Sequence, residues 1–239
     1  VRVFSDGENK KLAARLNEIS ALAKYDFIAR MDADDLMSPD RIEKQLKFIL
    51  KNKEIDLVST GVLSLSDENE PLGVRCVPED YTVTNKVMTG VSGIVHASLL
   101  GRKSWFERNA YREDFHLAED AELWARAYMK KDFNVAFIRE PLYFYREDGS
   151  VTKFKLLRAY KLGPKILLEN KTQGFSGSYF LLLYVRSLIK SLPVNGLYYL
   201  GGMNFLRSRR SMGVLCEEEI ESYNLLIGSV LSYQLPLSS

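Results

Sequence analysis

Two groups of carboxylates in the 239-residue chain have the residue types and spacing to do chemistry. The first is the run Asp32-Ala33-Asp34-Asp35, whose alternating aspartates offer hard oxygen ligands to a divalent cation. Proteins typically hold Mg²⁺ or Mn²⁺ with one or two such carboxylates together with substrate phosphates. The alternative is a solvated loop that merely precedes a helix, because short acidic runs are common.

The second group is the pair Glu119-Asp120, which comes just before a helical stripe of apolar residues, namely Ala121, Trp124, Ala125 and Tyr128. Acidic residues in the first turn of a helix interact favourably with the helix dipole by ~0.3–1 kcal/mol, so the pair has a purely structural explanation. In a chain that also carries a cation motif, however, Asp120 becomes a candidate general base.

The residues around these carboxylates alternate between strand-like and helix-like patterns. Strands are predicted at 1–4, 25–31 and 55–65, and helices at 12–23 and 38–50, the second helix with Ser38 as its N-cap. This alternation predicts an α/β sheet with right-handed crossovers. The acidic run directly follows the strand at 25–31, so we expect it at the carboxyl end of that strand, where open α/β sheets bind ligands.

Charge divides the chain into three parts, although the formal net charge is only +2. Residues 1–150 hold 22 Lys and Arg against 26 Asp and Glu, residues 151–210 hold 11 against one, and residues 211–239 hold none against four. The shift near residue 150 predicts a boundary between a core, residues 1–150, and a basic, mainly helical C-terminal extension, residues 151–239. The extension suits either an interfacial helix on an anionic membrane or a helical cap on the core.

Composition places the chain among folded proteins, with 46% hydrophobic and 27% charged residues. Two cysteines, Cys76 and Cys216, are too few for a disulfide framework or a zinc site, which favours a reducing compartment. No stretch approaches the ~18 uninterrupted apolar residues of a membrane span, and the N-terminus lacks the apolar core of a signal peptide. We therefore expect a cytoplasmic protein, free or peripheral on the cytoplasmic face of the membrane, without a nucleic-acid partner.

Several motifs together resemble the signature of family-2 glycosyltransferases, which are inverting enzymes with the GT-A fold. The most specific is the stretch at 25–45, where YDFIARMDADD is followed shortly by SPDRIEKQ. Further matches follow in the family's order at 9–17, 96–104, 118–124, 142–146 and 149–150. The resemblance covers about the first 150 residues and implies an α/β fold with a mostly parallel sheet flanked by helices.

The resemblance implies a role for each carboxylate. Asp34 would be the main ligand of Mg²⁺ or Mn²⁺, and Asp32 would contact the donor or the metal. Asp120 would take a proton from the acceptor hydroxyl as it attacks the anomeric carbon, while the cation stabilises the departing diphosphate. Glu119 would orient the acceptor.

The resemblance also implies the substrates of a hexosyltransferase-like enzyme. These are a nucleotide-diphosphate sugar donor and a glycan or lipid-linked acceptor, as in polysaccharide or cell-surface glycan synthesis. Four more residues in the matching motifs are candidates for substrate binding, namely Arg15, His96, Arg102 and Arg146. Arg146 could meet diphosphate charge or form a surface ion pair. His96 could line the acceptor site or be a hydrogen-bonded structural histidine.

The chain departs from the family pattern at three places. The family's first βαβ unit, whose aspartates hold the nucleotide base and ribose, does not precede Val1, which suggests a fragment or an N-terminally truncated enzyme. Lys11 stands where the family commonly has glycine, and the tripeptide at 109–111 replaces a usual glycine pair.

Two other functions fit parts of the sequence. A phosphatase of the haloacid dehalogenase type also places alternating aspartates at a strand end, but Leu36 stands where that class has a small hydroxyl or branched residue. The other is a non-enzymatic binding or regulatory remnant, which predicts a folded protein without affinity for nucleotide sugars in Mn²⁺.

Overall fold

The computed structural model describes residues 3–146, 153–170, 177–189 and 213–233. Its helices are α1 (Lys11–Leu22), α2 (Arg41–Lys51), α3 (Lys103–Arg108), α4 (Glu119–Met129), α5 (Lys153–Glu169), α6 (Gly177–Ile189) and α7 (Glu217–Leu231). Its strands are β1 (Phe27–Ala29), β2 (Leu36–Met37), β3 (Leu57–Leu65), β4 (Pro71–Arg75), β5 (Leu100–Arg102) and β6 (Val135–Arg146). Short 3-10 helices lie at Asn85–Thr89, His96–Ser98 and Glu113–Phe115.

One six-stranded sheet carries the fold, with the order β1-β5-β3-β6-β2 and with β4 paired to β3. The predicted α/β class is confirmed, but the predicted mostly parallel orientation is wrong. Among the strands that the structure describes, β3 and β6 form the one parallel pair, and the other pairs are antiparallel. One reason is that β3 turns directly into β4 through residues 66–70, a connection too short for the crossover that a parallel pair needs.

The centre of the sheet is β3, in which all nine residues are buried. Its polar residues are satisfied locally, because the Thr60 N–H donates to Ser98 Oγ at 3.0 Å and the Ser59 and Ser98 hydroxyls lie 3.1 Å apart. At Gly61 the backbone of β6 approaches so closely that a Cβ atom would lie 2.3 Å from the Arg139 carbonyl oxygen. Glycine is therefore required where β3 and β6 run side by side.

Two predicted strands are shorter than expected. Val3 and Phe4, from the strand predicted at 1–4, are exposed and outside regular structure, while residues 1–2 lie outside the described residues. The strand predicted at 25–31 is limited to β1, which pairs with β5 at the edge of the sheet. The strand predicted at 55–65 is confirmed as β3.

The two predicted helices of the core are confirmed as α1 and α2, with changes at their starts. Ser38 is not an N-cap, because α2 begins at Arg41 and the Ser38 hydroxyl bonds to the Asp40 carboxylate instead. Lys11, the first residue of α1, has a φ of 68°, in the left-handed region that favours glycine. That conformation costs a residue with a side chain roughly 1–2 kcal/mol, which explains why glycine is common there in the resembling family.

In the described part of the C-terminal extension, the structure has the helices α5, α6 and α7. Ile166 and Leu167 of α5 and Leu183 of α6 belong to the main core cluster, so these helices pack on the α/β core. The boundary near residue 150 stays a prediction, because residues 147–152 lie outside the described residues, as do 171–176 and 190–212 with much of the basic charge. No helix among the described residues combines the length and the apolar character needed to cross a membrane.

Candidate active site

The acidic run lies where the sequence predicts it, in the loop between β1 and β2. Two contacts from β6 hold this loop through Asp35, which is only 5% exposed. Its carboxylate accepts hydrogen bonds from the Tyr143 hydroxyl at 2.6 Å and from the Arg146 N–H at 2.9 Å. Tyr143 Oη also accepts the N–H of Asp32 at 3.0 Å, so one buried hydroxyl joins both ends of the acidic run. Burial raises the pKa of Asp35, against these hydrogen bonds.

The other two aspartates of the loop keep their side chains near the surface. Asp34 is exposed, whereas Asp32 is ion-paired to Arg30 with Nη2 and Oδ1 2.7 Å apart. The Arg146 guanidinium lies against the same loop and donates to the backbone carbonyl of Asp34 and to Asn69 Oδ1. Its Nε is buried and has no hydrogen-bond partner in the described part of the chain. Arg146 therefore contacts the acidic loop through the Asp34 carbonyl. This contact is compatible with both expected roles, binding of diphosphate charge and a surface ion pair.

The loop suits a cation that is shared with a substrate. Among the residues that the structure describes, no three His, Cys, Asp or Glu side chains cluster closely enough to hold a metal ion by themselves. Asp32 and Asp34 provide two carboxylates, which is the protein contribution typical of a Mg²⁺ or Mn²⁺ site completed by phosphate oxygens and water. The residues present thus fit a metal–diphosphate complex better than a closed metal site.

The second carboxylate pair opens α4 and is surrounded by protein. Glu119 is 7% exposed, and its Oε2 is buried without a hydrogen-bond partner among the described residues. Asp120 is partly exposed, and its Oδ1 accepts the N–H of Ala121 at 2.7 Å. Burial raises the pKa of both carboxyl groups. Leu117, two residues before the pair, has a φ of 71°, and strained backbone of this kind tends to occur at functional sites.

His96 lies beside α4 in an aromatic setting. Its Nε2 shares a hydrogen bond of 2.7 Å with the Tyr111 hydroxyl, and its ring meets Trp124 of α4 edge to face, with centroids 5.7 Å apart. Burial lowers the pKa of His96 well below its usual value, so the ring is neutral at pH 7. This is the arrangement of a hydrogen-bonded structural histidine. It packs against α4, the helix that carries Asp120.

Arg30 lies directly after β1 and forms an ion pair with Asp32, with Nη2 and Oδ1 2.7 Å apart. Arg30 lies within the matching motif at 25–45, but the motif implies no role for it. The signal in the sequence is a basic residue two positions before the first aspartate of the acidic run. Tyr143, which anchors the loop, was missed in the same way.

Two of the predicted substrate-binding arginines make their contacts elsewhere. Arg102 donates to the carbonyls of Ile49 and Ile55, at 3.1 and 3.0 Å, which satisfies the end of α2. Because β5 runs antiparallel to β1 and pairs Arg102 with Phe27, this arginine lies at the start of β1 rather than at the end that carries the acidic run. Its predicted substrate contact is therefore not supported.

Arg15 contacts acidic residues near the N-terminus. It forms ion pairs with Asp6 and Glu18 and donates to the Glu8 carbonyl at 2.7 Å. None of the contacts described for Arg15 involves the acidic loop or the Glu119-Asp120 pair, so its predicted role in substrate binding stays a prediction.

Residues 1–109 match the family model described as Glycosyl transferase family 2. The chain is 33% identical over 156 residues to EpsE of Bacillus subtilis (strain 168), a protein named as a glycosyltransferase, in a match covering 64% of this chain and 55% of EpsE. It is 28% identical over 162 residues to the O-antigen biosynthesis glycosyltransferase WbnJ of Escherichia coli, covering 66% of this chain and 62% of WbnJ. The chain thus spans little more than half the length of these relatives.

Among solved structures, S. aureus TarS 1–349 in complex with UDP is similar in fold, with a TM-score of 0.52 at 15% identity. The alignment covers 81% of this chain and 56% of that one. This similarity confirms the expected GT-A fold of an α/β sheet flanked by helices.

Proposed function

We propose that this chain is a member of glycosyltransferase family 2, whose model residues 1–109 match, and that it transfers a sugar from a nucleotide-diphosphate donor to an acceptor hydroxyl with inversion. The reaction would serve glycan synthesis, the process named for WbnJ. The observation that carries the proposal is the contrast between two carboxylate groups, an acidic loop whose Asp34 is exposed and the pair Glu119-Asp120, in which Glu119 is buried and burial raises the pKa of both carboxyl groups.

On the donor side, Asp34 and Asp32 would hold Mg²⁺ or Mn²⁺. The bound cation would stabilise the charge that develops on the departing diphosphate. Arg146 would add a second positive charge there; in support, its guanidinium lies on the loop and its Nε has no hydrogen-bond partner among the described residues. The UDP in the TarS complex supports a nucleotide donor for this chain.

On the acceptor side, Asp120 would act as general base. It would take the proton of the acceptor hydroxyl while that oxygen forms a bond to the anomeric carbon and the bond from that carbon to the diphosphate breaks. A single displacement of this kind inverts the anomeric configuration. A raised pKa suits the task, because a general base works best when its pKa is near the working pH. Glu119, with an unpartnered buried oxygen, is placed to orient the acceptor.

Calorimetric titration of UDP and GDP, with and without Mn²⁺, tests the donor side. We expect cation-dependent binding of one nucleotide by the wild-type chain and its loss in Asp34→Ala. The matched control is Asp26→Ala, which removes an exposed aspartate just before β1 instead of just after it. Binding that is unchanged in Asp34→Ala would refute the metal assignment.

Absence of nucleotide binding by the wild-type chain would point instead to the binding or regulatory remnant. Release of nucleoside diphosphate from a panel of UDP- and GDP-sugars then decides whether the chain is an enzyme. No release with any sugar, despite cation-dependent binding, would contradict the proposed transfer.

The acceptor side of the proposal includes contact with an anionic membrane through α6. One face of this helix packs on the core, and the opposite face exposes five large apolar side chains, each at 45–60%, namely Leu181, Leu182, Val185, Leu188 and Ile189. Exposed Arg186 lies next to this face, and residues 151–210 carry 11 basic residues against one acidic residue. An apolar face bordered by basic charge is the pattern of an interfacial helix, and it favours a lipid-linked acceptor.

Cosedimentation with vesicles tests this contact. We expect salt-sensitive binding to vesicles containing phosphatidylglycerol, weak binding to phosphatidylcholine, and weaker binding by the double variant Leu181→Ser, Val185→Ser. Leu225→Ser is the control, because Leu225 is 72% exposed on α7, whose first turn is acidic. Equal binding to neutral and anionic vesicles would refute the membrane contact.

A further inference from the structure

Arg41, the first residue of α2, is a fully buried cation. Burial lowers the pKa of its guanidinium to about 10, so the group is still charged at pH 7. In the described part of the chain its hydrogen bonds go to uncharged groups and not to carboxylates. The start of a helix also disfavours a positive charge. A buried charge that is placed against these preferences is expected where function requires it.

The guanidinium contacts the chain on both sides of the acidic loop, residues 32–35. Its Nη2 donates to the carbonyl of Arg30, which directly follows β1, at 2.8 Å. Its Nη1 lies 3.7 Å from Sδ of Met37, the last residue of β2. Because residue 30 lies two positions before the loop and residue 37 lies two positions after it, one side chain contacts the chain where it enters the loop and where it leaves it.

The same guanidinium lies over the ring of Tyr143, with Cζ 4.9 Å from the ring centroid. A cation in this position is attracted by the π electrons of the ring, and the attraction is strongest when both groups are shielded from water. The Tyr143 hydroxyl donates to the Asp35 carboxylate at 2.6 Å and accepts the N–H of Asp32 at 3.0 Å. Arg41 therefore fixes the ring whose hydroxyl joins the two ends of the acidic loop.

Gln45, one turn further along α2, fixes Arg41 in turn. Its Oε1 accepts a hydrogen bond from Arg41 Nε at 3.0 Å. Its Nε2 donates to the carbonyls of Val58 and Ser98, at 2.8 and 2.9 Å. Gln45 is fully buried, and Val58 lies in β3 at the centre of the sheet. The guanidinium is thus tied to the centre of the sheet as well as to the loop.

We propose that Arg41 is a positioning residue for the cation site, which holds both ends of the acidic loop and the Tyr143 ring and so sets where Asp32 and Asp34 meet the cation and the diphosphate. The proposal rests on the transfer reaction proposed above. Its physical reason is that neighbouring carboxylates repel one another, and the loop carries three of them. Contacts that keep such a loop in one conformation lower the cost of binding a cation there.

Amide hydrogen exchange, followed by NMR without any ligand, tests the effect on the loop directly. Two amides report on the loop, namely the N–H of Asp32, which donates to Tyr143, and the N–H of Arg146, which donates to Asp35. Arg41→Met keeps an unbranched side chain but removes the charge and the donors. We expect both amides to exchange ~10-fold faster in this variant, and by a smaller factor in Arg41→Lys, which keeps the charge.

The matched control is Arg108→Met. It removes another arginine that joins distant segments, through ion pairs with Asp56 and Asp132, and it should leave both exchange rates unchanged. Unchanged rates in folded Arg41→Met, or an equal acceleration in Arg108→Met, would overturn the proposal. If Arg41→Met does not fold, Arg41→Gln takes its place.

Calorimetric titration of UDP and GDP in Mn²⁺ gives the second readout. The Kd of the nucleotide that binds should rise by up to ~10²-fold in Arg41→Met, recover partly in Arg41→Lys, and stay at the wild-type value in Arg108→Met. Faster exchange in the loop with an unchanged Kd would also overturn the proposal, because Arg41 would then be structural only. A wild-type chain without Mn²⁺-dependent binding would refute the proposed function, and the exchange rates would still decide whether Arg41 holds the loop.

Discussion

The acidic loop, residues 32–35, and the pair Glu119-Asp120 present the same functional group in opposite settings. In the loop, the one buried carboxylate, Asp35, receives two hydrogen bonds, and Asp34 stays in solvent. In the pair, Glu119 is buried with an unpartnered oxygen, and burial raises the pKa of both carboxyl groups.

The difference shows how one residue type can serve two chemical tasks. Carboxylates that remain solvated or ion-paired are available as ligands of a cation. A carboxylate surrounded by protein binds a proton more readily, which is the property of a general base that works nearer to neutral pH. The environment, and not the residue type, therefore separates the two roles.

Removal of the Asp120 carboxylate should have the largest effect, and the effect should fall on turnover. In Asp120→Asn we expect turnover to fall by ~10²–10⁴-fold, the usual contribution of a positioned general base, while nucleotide binding at the loop is retained. Steady-state release of nucleoside diphosphate measures this loss. Glu113→Gln, which neutralises an exposed acid a short distance before α4, should leave turnover unchanged. Normal turnover in Asp120→Asn would exclude Asp120 as the base.

In the acidic loop, loss of Asp35 should lower the stability of the protein more than loss of Asp34. Asp35→Ala leaves the Tyr143 hydroxyl and the Arg146 N–H without their acceptor, so we expect the free energy of unfolding to fall by ~1–3 kcal/mol. Urea unfolding followed by circular dichroism measures this. Asp34→Ala, a change at an exposed side chain one position away, should stay within ~0.5 kcal/mol of wild type. Equal losses in the two variants would contradict the anchoring role of Asp35.

The smallest expected effect is a pH dependence of stability with opposite signs at two aspartates. The pKa of Asp120 is raised on folding, so the folded state is penalised once this group ionises. Asp120→Asn should therefore be more stable than wild type at pH 7, and this advantage should shrink as pH falls through the raised pKa towards the ordinary value of 3.8.

Asp114 provides the contrast, because hydrogen bonds from Lys165 and Arg112 lower its pKa to about 2. Its contribution to stability is present above the ordinary pKa of 3.8 and is lost as pH falls towards about 2. Asp114→Asn should thus be slightly less stable than wild type at pH 7, with a difference that disappears in acid. Thermal unfolding at a series of pH values measures both variants, and slopes of the same sign would contradict the assigned environments.

The features predicted from the sequence are those that depend on local patterns. The acidic run follows β1 because a short apolar stretch ends in polar residues, and α4 begins at Glu119 because acids precede an apolar helical stripe. The departure at Lys11 was visible as well, and the φ of 68° gives its physical reason.

Features that depend on pairing between distant segments were predicted poorly. Parallel and antiparallel strands have similar residue patterns, so the mostly parallel sheet was wrong for the described strands. Arg102 was assigned to the site by its motif, but the antiparallel register of β5 carries it to the opposite end of β1. A motif gives the order of residues along the chain and does not give the direction of the strand that carries them.

The sequence by itself determined which carboxylates are candidates and at which element ends they lie, because strand ends and helix starts follow from residues close in the chain. Only the tertiary structure decided which of them are buried and which are paired. Those properties come from contacts such as that of Tyr143 with Asp35, between residues 108 positions apart. Burial and charge pairing depend on which distant segments pack together, and that packing sets the pKa of each carboxyl group.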